Sequence, residues 1–85
     1  MRHAGGVALD RIAGLLADLR ELPMLKEKRP GTFYLRSKAF MHFHEDGADV
    51  FADVRAAGES TFSRLNVTGM TGQRRLLKIA REACS

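Results

Sequence analysis

The chain has 85 residues, 45% of them hydrophobic, with 14 Lys plus Arg against 10 Asp plus Glu and a net charge of +4. That length allows one domain with a thin core and no deep substrate chamber, and the hydrophobic share argues against wholesale disorder. The single cysteine excludes an internal disulfide framework and a cysteine-based zinc ribbon, and no apolar run approaches the roughly 20 residues that span a bilayer.

In chain order, residues 1–6 carry no structural signal and are expected to be flexible. Arg2 imitates the charged start of a signal peptide, but Asp10 and Arg11 interrupt the apolar stretch Ala4–Leu9 and no cleavage pattern follows. We therefore expect a cytoplasmic protein in a reducing compartment, with Cys84 a free thiol. From Val7 to Leu22, Ile12, Leu15, Leu16, Leu19 and Leu22 recur at helical spacing, bounded by Gly5-Gly6 and Pro23, which predicts one amphipathic helix. Met24–Gly31 reads as a basic connector ending in a Pro30-Gly31 turn.

Three strand-like runs follow: Thr32–Arg36, Lys38–His44 and Val50–Arg55. Their short connections require an antiparallel meander, because a parallel crossover needs a dozen or more residues. Ala56–Ser60 is a loop. Phe62–Val67 reads as an extended loop, with a short fourth strand as the alternative. Thr68 or Thr71 is placed to cap a last helix whose apolar stripe is Leu76, Leu77, Ile79, Ala80 and Ala83. The predicted class is α+β: a two-layer domain in the order helix, three-stranded antiparallel meander, helix.

Alternation then divides the sheet into two faces. Phe33, Leu35, Ala39, Met41, Phe43, Val50, Ala52 and Val54 are assigned to the helix-covered side. Tyr34, Arg36, Phe40, His42, His44, Phe51, Asp53 and Arg55 are left on the open side. An aromatic open face with free strand edges invites a second copy, so the first functional expectation is a binding or scaffolding domain that forms a homodimer. A second expectation is a divalent transition-metal site: His42 and His44 project to one side of a strand about 7 Å apart. They can share an ion if a carboxylate joins them, and Asp46 and Asp53 are the candidates. Nucleic-acid binding is a third expectation. It draws on the basic residues Lys26, Lys28, Arg29, Arg74, Arg75, Lys78 and Arg81, but the acidic stretch from Glu45 to Asp53 opposes it. Catalysis is not favoured, since no nucleophile accompanies the histidines, and neither is membrane association, since the core needs the apolar face of the last helix.

The runs Pro30-Gly31-Thr32-Phe33-Tyr34, Phe40-Met41-His42-Phe43-His44-Glu45-Asp46 and Ala52-Asp53-Val54-Arg55 together resemble the core of a group of small bacterial proteins patterned PGxFY…FxHFHED…ADxR. More distantly, the order of elements is similar to YjbR/MmcQ-type and TfoX N-terminal α/β domains. The resemblance implies an α/β fold of this kind and transfers no site residue.

Overall fold

The structure is a computed structural model describing all 85 residues. Its elements are β1 (Arg2–His3), α1 (Gly6–Arg11), α2 (Ala13–Arg20), β2 (Leu25–Arg29), β3 (Thr32–Leu35), β4 (Lys38–Asp46), β5 (Asp49–Val54), β6 (Ser63–Asn66) and α3 (Met70–Ala83). The two-layer α+β architecture and the helix–sheet–helix order agree with the sequence. The sheet has six strands, however, not three. Its path is β2-β3-β4-β5-β6, all antiparallel, with β1 paired to β4 beyond the end of β3.

The additional strands have identifiable causes. Leu25–Arg29, expected as a connector, alternates in a disguised way: Leu25 is buried in the core, and Glu27 turns the same way to meet Arg20 of α2 through two hydrogen bonds of 2.6 and 3.0 Å. A carboxylate in an inward position reads as polar sequence, yet its guanidinium partner satisfies it. Ser63–Asn66 takes the fourth-strand alternative and pairs with β5. The first helix is broken at Ile12 (φ −114°), which caps α1 and opens α2. No threonine caps α3. Its N-cap is Gly69, and the Thr68 hydroxyl instead accepts a hydrogen bond from Val50 N at 2.9 Å.

Three tight turns set the register. Pro30-Gly31, with Gly31 at φ +76°, joins β2 to β3. Arg36-Ser37 (φ +52° and +69°) joins β3 to β4. Gly47-Ala48, with Gly47 at φ +61°, joins β4 to β5. Two positive φ values in a two-residue loop give the right-handed twist that a hairpin needs. Arg36 therefore belongs to a turn and leaves the open face to which alternation assigned it.

A β-bulge produces the other departure. Phe33 pairs with Met41, but the next residue, Tyr34, pairs with Ala39, so Phe40 is the extra residue on β4. Bulging lets Phe40 and Met41 both turn towards the helices; they are 2% and 0% exposed. Phe40 thus joins the core instead of the open face, and Ala39 moves to the Tyr34 side. Elsewhere the expected alternation holds. Phe33, Phe43, Val50, Ala52 and Val54 are buried with Ile12, Leu16, Leu19, Leu76 and Ala80 in one hydrophobic cluster.

Candidate metal centre on the open sheet face

Register brings the polar residues of the open face into two rows. Pairing runs Thr32–His42–Asp53–Arg64 across β3, β4, β5 and β6, and His3–His44–Phe51–Asn66 across β1, β4, β5 and β6. Residues paired across strands share a face, so both rows project away from the helices. All three histidines of the chain meet in this small area.

His42, His44 and Asp53 form the centre, and each contributes one ligand atom within 4.8 Å of the other two. The His42 and His44 ring centres lie 4.7 Å apart. His44 Nε2 is 3.1 Å from Asp53 Oδ2. That separation resembles the edge of a tetrahedral coordination sphere, which is about 3.3 Å for ligands roughly 2.0–2.1 Å from an ion. Despite its closeness to the carboxylate, Nε2 makes no hydrogen bond and is buried. The Thr32 hydroxyl, in the same row as His42, is the second buried polar atom without a partner. Most buried polar groups find partners, so two orphans on one small face call for an explanation.

Arg64 supplies the counter-charge. Its guanidinium grips Asp53 through Nε to Oδ1 at 2.8 Å and Nη2 to Oδ2 at 3.0 Å. This grip holds the Asp53 carboxyl below its ordinary range against the opposing effect of burial, and the two imidazoles add to the lowering. Burial pushes the His42 imidazole below its ordinary value. His44 pushes it the same way, Asp53 pulls against them, and His3 and Arg64 add smaller lowering effects. A neutral imidazole beside an ionised carboxylate is the protonation state that ligation requires.

Of the other residues expected at a site, Phe51 is half-buried beside His44 in the second row. Arg55 lies 5.5 Å from the ring of Phe62, which in turn sits 5.2 Å from the His42 ring. Tyr34 is further along the face, with the Lys28 ammonium 4.3 Å above its ring. Asp46 is exposed at the end of β4, paired with Asp49, and does not join the cluster. The basic residues do not converge. Lys26 and Lys28 lie on the sheet edge strand β2, Arg29 ends that strand, and Arg74, Arg75, Lys78 and Arg81 lie exposed along α3 in the helix layer.

Three neighbours of the cluster are absent from the site read in the sequence: His3, Arg64 and Phe62. Phe62 and Arg64 belong to the weakly alternating segment Phe62–Val67. His3 falls in residues 1–6, expected to be flexible and therefore left out of the site, whereas the structure pairs it with His44. Compared with family models, curated proteins and solved structures, the chain matches none. The site rests on its geometry.

Proposed function

We propose that this protein is a small metal-binding domain that holds one divalent transition-metal ion between His42, His44 and Asp53. The single observation that carries this reading is the buried, unbonded Nε2 of His44, 3.1 Å from a carboxylate oxygen that faces it. With His44 protonated the two groups form an ion pair; with the imidazole neutral, its lone pair and the carboxylate are two ligand atoms at the spacing a cation takes up. Two imidazole nitrogens and one carboxylate oxygen suit Zn²⁺, Co²⁺, Ni²⁺ or Cu²⁺, whereas Mg²⁺ and Ca²⁺ prefer oxygen ligands alone. Arg64 keeps its bond to Oδ1 and releases Oδ2 to the ion, so that it orients the carboxylate from outside the coordination sphere. Thr32 stands in the row of His42 with an unused hydroxyl, available to a ring N–H once the other ring nitrogen binds metal.

Calorimetric titration of the chain with Zn²⁺, Ni²⁺ and Cu²⁺ at pH 7.5 tests this directly. We expect one ion per chain, and affinity at least about tenfold weaker in His42→Ala and in Asp53→Asn, because losing a ligand costs no less than losing an outer-shell partner. No heat with any of the three ions, or equal heat in wild type and both variants, refutes the site.

A further inference from the structure

The three ligand atoms leave one corner of a tetrahedron open, and the nearest unused imidazole is that of His3. We propose that, at the metal site argued above, His3 is the fourth ligand, so that the N-terminal strand closes the coordination sphere and is held in place by the ion.

β1 is only two residues long, yet its backbone is fixed from several directions. His3 is the cross-strand partner of His44, and Ala4 N donates to Phe43 O at 3.0 Å. Glu45 grips the segment through its side chain: Oε1 accepts from Arg2 Nε at 2.9 Å, and Oε2 accepts from Gly5 N at 3.0 Å. These contacts place a residue with no helical or strand-forming context of its own directly beside the cluster. The His3 and His44 rings stand edge to face with centres 6.3 Å apart. Two imidazoles on one tetrahedral ion have ring centres about 5 Å apart, given metal–nitrogen bonds of about 2 Å. His42 and His44 already satisfy that spacing at 4.7 Å. His3 has to approach by about 1 Å, which rotation of an exposed side chain supplies.

The chemical consequence concerns what the ion can do. A site with three protein ligands keeps a position for water or substrate, whereas a site with four protein ligands is closed. With His3 bound, the centre stores or senses an ion, or stabilises the fold, and does not activate a water molecule. The N-terminal segment becomes the element whose order reports metal occupancy, because its docking and the metal's binding then share one free energy.

Visible absorption of the Co²⁺-loaded protein reports coordination number and separates the outcomes. Wild type is expected to show intense tetrahedral bands. His3→Ala is expected to bind Co²⁺ at least about tenfold more weakly with altered band intensity, and His42→Ala to lose binding. His3 is exposed, so its replacement leaves the fold intact, which circular dichroism verifies. If His3→Ala matches wild type in affinity and spectrum while His42→Ala loses binding, the fourth ligand is refuted and the three-residue site stands. If wild type itself binds no Co²⁺, the site and the closure both fall. As an independent readout, Zn²⁺ should slow hydrogen exchange at the Ala4 amide in wild type and leave it unchanged in His3→Ala.

Discussion

Strand β4 presents two chemistries a single residue apart. Towards the helices, Met41 and Phe43 are fully buried among apolar side chains. Towards the open side, His42 and His44 are half-buried among charged and polar groups, and one of their nitrogens has no partner. The helix face is governed by volume: its atoms gain from contact and lose from any void. The open face is governed by polar satisfaction, and two of its buried polar atoms, Thr32 Oγ1 and His44 Nε2, have no hydrogen-bond partner. One side of the sheet carries the apolar core and the other the cluster proposed to hold a metal, with the same backbone hydrogen bonds serving both.

Substitutions can break this comparison, beginning with the largest effect. Phe43→Ala removes a large buried ring and should cost about 3–5 kcal/mol, a large share of the stability of so small a domain. Its urea midpoint should collapse, whereas His42→Ala, on the same strand, should change the unfolding free energy by about 1 kcal/mol or less, as expected for a partly exposed polar site. Metal narrows the gap: Zn²⁺ at about 100 times its dissociation constant should raise wild-type stability by about 2.7 kcal/mol. That gain should vanish in His42→Ala, and thermal melts with and without Zn²⁺ measure it. A melt indifferent to Zn²⁺ would erase the chemical half of the comparison.

Gly72→Ala sharpens the packing half. On helix propensity alone, alanine should stabilise α3 by about 1 kcal/mol. A Cβ at this position, however, would collide with Asn66 O, where the first turn of α3 lies against the end of β6. The backbone must shift, so we expect net destabilisation of about 1–3 kcal/mol in denaturant unfolding.

The smallest effect is the pH dependence of the metal-free protein. His42 faces His44, His3, Asp53 and Arg64, and its imidazole is held below its unfolded value of 6.5. Asp53 is likewise held below 3.8. For both groups the unfolded chain binds the proton more readily, so their contribution is fully present above the unfolded pKa and is lost as pH falls. The urea midpoint measured with a chelator should therefore decline between pH 7.5 and 5 as His42 titrates, then fall further below pH 4 as Asp53 does. In His42→Ala the first decline should be reduced while the second persists.

The parity of β4 and β5 was legible because period-two alternation is a local property that each strand states by itself. Met41, Phe43, Val50, Ala52 and Val54 needed no tertiary information to be placed. The Phe40 bulge was not legible: an aromatic residue at an even position fits the open face until the β3 register shows two residues of β4 opposite one of β3. Strand β2 was hidden because an inward glutamate looks like loop sequence unless its arginine partner, seven residues away on another element, is known. Between two acidic candidates the sequence could not choose; cross-strand register takes Asp53 and leaves Asp46 at an exposed strand end.

The sequence by itself determined which residues can bury and which strand carries the paired imidazoles, since composition and periodicity depend only on near neighbours along the chain. Tertiary structure alone decided that Asp53, Arg64 and His3 arrive beside them. Those residues come from three other strands, brought to one face by hydrogen-bond register. Register is a relation between segments, and no single segment encodes it.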